Sequence, residues 1–100
     1  MSVLVVLRVK VDPEAFKKVA SENQDAMRGI TDRSRSRGAA HHAFYAGDGE
    51  VLVVDEWDSA DSFKAFFEEE GPNIGPLMAQ AGAQPGEPEF YEKVDSADSF

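Results

Sequence analysis

The only two histidines of the chain, His41 and His42, are adjacent in a stretch of β-forming residues. A short turn over residues 47–49 follows, and the next β-forming stretch carries two acids, Asp55 and Glu56. If Asp48 and Gly49 form a two-residue hairpin turn, His42 lies opposite Asp55 and His41 lies opposite Glu56. An imidazole held by a carboxylate has a fixed tautomer, and it suits general acid or base chemistry near neutral pH.

Side chains alternate between the faces of a strand, so the two histidines point to opposite faces and cannot readily hold one metal ion. His42 shares its face with Phe44, Asp55 and Trp57, which together make an aromatic, apolar lining with one acid. We therefore expect His42 and Asp55 to be catalytic and Phe44 and Trp57 to contact the substrate. The alternative is that these are ordinary cross-strand pairs at a sheet end or a dimer rim.

Three further residues are candidates for substrate binding. Arg8 follows an apolar start to the first strand, and its guanidinium could bind a substrate carboxylate or enolate through two hydrogen bonds. His41 and Tyr45 share the second face of their strand, where two alanines suit packing against a helix, and Tyr45 could donate to a carbonyl. For Arg8 the alternative is an interface ion pair with Glu56 or Asp55. The sequence has no phosphate loop and no metal-ligand spacing, so we expect no metal and no cofactor.

The composition limits the class of protein. The chain has 100 residues, 42% of them apolar, a net charge of -9 and no cysteine. This length allows a single domain, and the missing cysteine agrees with a reducing, cytoplasmic location. The negative charge disfavours nucleic acid as a partner, and no apolar run is long enough for a membrane span. Four arginines lie within ten positions and indicate either an anion site or a solvated helix end, namely Arg28, Arg33, Arg35 and Arg37.

The order of elements predicts the fold. Alternating valine and leucine predict a strand over residues 3–11, and Asp12 and Pro13 start a helix over 13–30. Two strands, 38–46 and 50–57, form the hairpin. Helical segments over 59–70 and 73–81 follow, and residues 87–94 form a last strand. This order predicts an α+β, ferredoxin-like βαββαβ fold with a four-stranded antiparallel sheet and helices on one face.

The ends of the chain complete the expected organisation. We expect residues 1–95 to form one domain and residues 96–100 to form a C-terminal tail. The sequence of residues 58–63 recurs in residues 95–100. The repeat is either a duplicated helix start or a chance resemblance in a frayed tail. Helices on one face leave apolar residues of the other face in water, which indicates a homodimer through the sheet.

The run from Glu50 to Ser59 carries a resemblance to a known family. With its hairpin and element order, the chain resembles the antibiotic biosynthesis monooxygenase-like (ABM-like) proteins of the dimeric α+β barrel superfamily. In that family the third strand typically ends in an acid followed two residues later by tryptophan, here Asp55 and Trp57. The resemblance implies a homodimer whose sheets face each other around a cavity for a small molecule. The haem-degrading branch usually has an asparagine in the first strand and a histidine in the second helix, and both are missing here.

Two functions are therefore expected. The first is a cofactor-independent, monooxygenase-like enzyme that removes a proton from an aromatic or enolisable small molecule in the dimer cavity. The second is a binding or accessory protein that uses the same cavity without turnover.

Overall fold

A computed structural model describes residues 2–100 of the protein. It contains five strands and four helices in one α+β arrangement. The elements are, in chain order, β1 (Val3–Lys10), α1 (Pro13–Glu22), α2 (Gln24–Ser36), β2 (Ala39–Ala46), β3 (Glu50–Trp57), α3 (Ala60–Glu69), α4 (Gly71–Ala81), β4 (Gln84–Pro85) and β5 (Glu89–Glu92). The predicted ferredoxin-like order is thus confirmed, with more helices and strands than the sequence pattern indicated.

All strand pairs of the sheet are antiparallel. β3 lies between β2 and β1, and β4 and β5 both pair with the other edge of β1. The hairpin has the predicted register, with His42 opposite Asp55 and His41 opposite Glu56. Gly49 has a φ of 70°, a left-handed conformation that glycine adopts without steric cost, so the turn fixes this register.

The predicted helix over residues 13–30 is two helices. Asp12 caps α1 as expected, because its carboxylate accepts from the backbone N–H of Glu14 at 3.2 Å. At Asn23 the backbone leaves the helical conformation, and its side chain donates to the Val19 carbonyl at 2.8 Å. An asparagine that bonds to nearby backbone in this way competes with helix continuation. The chain therefore changes direction at Asn23, and α2 continues to Ser36.

The predicted last strand, 87–94, is shortened to β5, and the additional short strand β4 precedes it. β4 pairs with Val9 and Lys10, whereas β5 pairs with Val3–Val6 at the other end of β1. Pro88 lies between them and has no N–H to donate to a ladder. Gly86 still donates to the Arg8 carbonyl at 2.8 Å, so the chain stays beside β1 across the gap. Five strands thus occupy the four positions of the predicted sheet.

The helices cover the face of the sheet that carries His42. Val5, Leu7 and Val9 of β1 lie on this face and are at most 2% exposed. The antiparallel register places them beside alternate residues of β3, from Val51 to Trp57. This corrects the expectation that the His41 face packs against helices. The helices cover the wholly apolar face of β1, because burying that face removes more apolar surface from water than burying the other.

The ends of the hairpin and of the chain depart from the simple pattern. A β-bulge at Ala40 moves Ala39 opposite Trp57, so Ala39 lies on the helix-covered face rather than with His41. Of the two copies of the repeated sequence, residues 58–63 lead into α3, and Ser59 accepts from the N–H of Ser62 at 3.1 Å. Residues 95–100 form no helix or strand. None of the helices in residues 2–100 is long and apolar enough to cross a membrane.

Candidate functional site

A cavity of 440 Å³ lies between the sheet and the helices of one chain. Strand residues form one wall and residues from all four helices form the others. The strand wall comprises Leu7, His42, Phe44, Val53 and Asp55. This volume falls in the range of small-molecule sites, whose walls are mainly apolar with a few well-placed polar groups. The cavity is therefore within one protomer, on the helix side of the sheet.

His42, Asp55 and Trp57 form a hydrogen-bonded chain that runs from the strand wall into the core. His42 Nδ1 lies 2.6 Å from Asp55 Oδ1, and Trp57 Nε1 donates to Asp55 Oδ2 at 3.1 Å. The side chain of His42 is 30% exposed and that of Asp55 is 9% exposed. Trp57 is fully buried. The imidazole thus lies between a buried carboxylate and the cavity.

The contacts of Asp55 assign the tautomer of His42. An ionised carboxylate only accepts hydrogen bonds, and its second oxygen already accepts from the indole. The Nδ1 atom of His42 therefore carries the hydrogen and donates it to Asp55. In the neutral ring, Nε2 is then the atom with a free lone pair. A histidine oriented in this way can accept a proton at Nε2, as a general base does.

Two phenylalanines pack beside the His42 imidazole, and Phe44 contacts it directly. The His42 and Phe44 rings meet edge to face with centroids 4.8 Å apart. Phe44 in turn meets Phe16 of α1 at 4.9 Å, also edge to face. These contacts connect the outer strand to the first helix, so the wall around His42 is packed on two sides.

Comparison with solved structures shows the fold of the chain. SnoaB from Streptomyces nogalater, a cofactor-independent oxygenase, is 15% identical over 98% of both chains with a TM-score of 0.62. A structure described as an antibiotic biosynthesis monooxygenase is 13% identical, over 93% of this chain and 99% of that one, with a TM-score of 0.63. A dimeric ferredoxin-like protein from an uncultured marine organism is 11% identical, over 99% of this chain and 93% of that one, with a TM-score of 0.68. This chain has the ABM-like fold.

No protein-family model matches the sequence. No curated protein matches it significantly. At these identities, the structural matches establish the ABM-like fold and leave the chemistry to be argued from the site.

The ABM-like fold places the seven predicted site residues in three locations. His42, Asp55 and Phe44 line the cavity. Trp57, expected to contact substrate, is instead buried behind Asp55, because its position on β3 faces Phe63 and Phe66 of α3.

Arg8, His41 and Tyr45 lie on the opposite, uncovered face of the sheet. Strand alternation puts them there once the helices cover the His42 face. Within the same chain, Arg8 lies 3.6 Å from Glu50 and 3.5 Å from Glu89. These three residues thus lie outside the cavity that the ABM-like fold encloses in one chain.

The prediction from sequence missed the helical walls of the cavity. They are mostly apolar and include Phe16, Met27, Phe63, Phe67, Leu77 and Met78. Their helical spacing was visible in the sequence, but it indicates packing against a sheet and does not distinguish a filled core from an open cavity. Arg28, Asp32 and Arg35 of α2 also line it. Within residues 2–100, no three acidic or imidazole side chains converge as metal ligands would.

Proposed function

We propose that this protein is a cofactor-independent, monooxygenase-like enzyme that acts on an aromatic or enolisable small molecule in the helix-side cavity. The observation that carries the proposal is the His42–Asp55 pair on the wall of an otherwise largely apolar cavity of 440 Å³. Removing a proton from such a substrate requires a positioned general base and an apolar cavity that binds the substrate beside it. The His42–Asp55 pair and the cavity supply both.

The first step of the proposed reaction is proton transfer. Nε2 of His42 accepts a proton from an activated CH₂ group of the substrate, and Asp55 stabilises the resulting imidazolium through Nδ1. The electron pair of the broken C–H bond stays on the substrate as a delocalised carbanion. Apolar walls suit this anion only if it is spread over an aromatic or conjugated system, which defines the substrate class.

The second step uses dioxygen as the oxidant. The carbanion bonds to one oxygen atom of O₂, and the peroxide takes up the proton that His42 holds. Loss of water across the C–O–OH group then gives a ketone: the remaining hydrogen on carbon leaves as a proton, the O–O bond breaks, and hydroxide combines with that proton. The CH₂ carbon loses four electrons and the two oxygen atoms gain four, so no external reductant is needed.

Oxygen uptake by purified protein with polycyclic enolisable ketones tests this function. His42→Ala should lower the substrate-dependent rate by about 10²- to 10⁴-fold, the usual contribution of a general base. His41→Ala is the matched control, because His41 is the neighbouring residue on the uncovered face. We expect its rate to stay within about twofold of the wild type, since it does not line the cavity. Equal loss in both variants, or no substrate-dependent uptake by the wild type, would contradict the proposal.

We also infer that two copies of the chain associate through the uncovered face of the sheet. This outer face carries Leu4, Val6, Leu52, Val54, Tyr45 and Tyr91. Leu4 is 38% exposed, Tyr45 is 52% exposed and Tyr91 is 49% exposed. A contiguous apolar patch of this kind is typical of an interaction surface, and a second copy presents a matching one. Arg8, His41 and Tyr45 would then belong to a subunit interface.

A further inference from the structure

The cavity carries one cation whose charge is not offset by an ion pair. Acids outnumber bases by 19 to 10 in this chain. Within residues 2–100, Arg8, Arg28, Arg33 and Arg37 each lie within salt-bridge distance of a carboxylate. Arg35 has no such partner in the same part of the chain, and it lines the cavity. Arg35 is exposed, so its guanidinium can reach an anion that enters the cavity.

Arg35 belongs to a row of polar residues along one side of α2. Arg28, Asp32 and Arg35 recur at intervals of three or four, and all of them line the cavity. The Cα atoms of Arg28 and Arg35 lie about 10 Å apart along the helix axis. Arg28 is engaged by Asp25 at 3.6 Å. Asp32 lines the same wall without coming within salt-bridge distance of Arg35, so the Arg35 guanidinium is left to bind a ligand.

The net negative charge of the chain makes the binding of an anion depend on a local cation such as Arg35. A net charge of -9 repels an anionic ligand at long range, so such a ligand needs a local cation to stay bound. A guanidinium matches a carboxylate geometrically and can form two parallel hydrogen bonds with it. The strand wall opposite offers Phe44 and His42 to an aromatic body.

We infer that Arg35 determines substrate class by binding the carboxylate of an aromatic acid whose ring system occupies the apolar cavity. The inference rests on the proposed function in treating this cavity as the substrate site. It narrows the substrate from any enolisable molecule to one that carries an acid group separate from the reacting carbon.

Binding of two matched probes tests the inference. Naphthalene carboxylic acid and naphthalene carboxamide have the same ring and similar shape, and only the first is charged at neutral pH. Isothermal titration should show that the wild type binds the acid up to about fivefold more tightly than the amide, as one exposed charged pair supports. Arg35→Gln should abolish this preference and leave amide affinity unchanged. Raised salt should weaken binding of the acid only.

Two further variants separate a binding role from a structural one. Arg37→Gln is the matched control, because Arg37 lies two residues away, pairs with Glu69 and does not line the cavity. It should keep the full preference for the acid. Arg35→Lys keeps the charge without the paired donors, and its preference should fall between the wild type and Arg35→Gln. Thermal unfolding of each variant confirms that the fold is retained.

The outcomes distinguish this inference from the proposed function. Equal affinity of the wild type for both probes, or an equal loss of both in Arg35→Gln, would overturn the role of Arg35 while leaving the cavity as a binding site. Failure of the wild type to bind either probe would overturn the inference together with its premise. A carboxylate preference that depends on Arg35, in a protein without oxygen uptake, would support the inference and contradict the oxygenase.

Discussion

At the scale of single residues, Asp55 organises the site. One carboxylate oxygen faces His42 at 2.6 Å and the other accepts from the Trp57 indole at 3.1 Å. The indole therefore holds the carboxylate in the orientation that the imidazole needs. In the proposed reaction Trp57 is a positioning residue, since it does not line the cavity. The acid and tryptophan two positions apart on β3 thus work as one unit with a histidine from the neighbouring strand.

Part of this arrangement can be predicted from the sequence. The pairing of His42 with Asp55 follows from the Asp48-Gly49 turn, because turn length fixes the hairpin register. Strand alternation then sorts residues into two faces but does not say which face the helices cover. The apolar face of β1 holds that information, and it becomes usable only when the β1–β3 register is known. For this reason strand alternation alone does not show that Arg8 and Tyr45 lie outside the cavity of one chain.

At the scale of elements, the helices that wall the cavity are joined by a polar cross-link. Arg33 of α2 donates to Glu70 at 2.7 and 2.9 Å, and Asn73 of α4 donates to the same carboxylate at 3.0 Å. Glu70 is itself the residue between α3 and α4. The cross-link therefore fixes three helices relative to one another beside the cavity.

This cross-link predicts a dependence of stability on pH. The hydrogen bond from Arg33 lowers the pKa of Glu70, aided by Asn73 and opposed by burial. Because the folded pKa lies below the unfolded value, Glu70 stabilises the protein fully above its ordinary pKa. That contribution disappears as the pH falls through the folded pKa. Glu70→Gln should therefore be less stable than the wild type at about pH 7, and the difference should shrink at about pH 3.

Urea unfolding of the two proteins across this pH range measures the effect. Glu69→Gln is the matched control, because Glu69 pairs with Arg37 at the surface. We expect little change in its stability at either pH, as for most exposed ion pairs. A gap between the wild type and Glu70→Gln that stayed constant with pH would show that the Glu70 charge has no such role.

The boundaries of elements were less accessible from sequence than their order. The helical pattern predicts one helix over residues 13–30, whereas the side-chain bond from Asn23 to the Val19 carbonyl marks a break within it. Pro88 is recognisable in the predicted last strand. The break between β4 and β5 also depends on the hydrogen bond that Gly86 donates to the Arg8 carbonyl. Such breaks depend on contacts with other elements, so periodicity alone does not locate them.

At the scale of the whole molecule, the sheet has one face inside the protomer and one available to a partner. The helix-covered face encloses the cavity, whereas the outer face carries an apolar patch with Arg8 and its acidic partners at one end. The proposed active site and the proposed dimer interface are thus separated by the thickness of one sheet. Changes at the subunit interface can therefore be made without altering the cavity wall.

This separation predicts a dimer that a single substitution can dissociate. Leu52 lies on the outer face between Arg8 and Tyr45. Leu52→Asp should convert the dimer to a monomer in light scattering, because the new carboxylate must compete with Glu50 and Glu89 for Arg8, and burying an incompletely paired carboxylate costs more than the apolar contact gains. Phe100→Asp is the matched control, since Phe100 is exposed in the tail and should leave the dimer intact. A monomeric wild type, or no effect of Leu52→Asp, would contradict this interface.

The most direct test of the account is nitrogen NMR of the two imidazole rings during titration with an aromatic ligand such as naphthalene carboxylic acid. We expect His42 to carry its hydrogen on Nδ1 and its Nε2 resonance to shift as ligand is added, because this ring lines the cavity beside Asp55. The His41 resonances should stay unchanged, since that ring lies on the other face of the same strand. Hydrogen on Nε2 of His42, or ligand shifts confined to His41, would contradict the central claim that His42 is the base of a helix-side cavity.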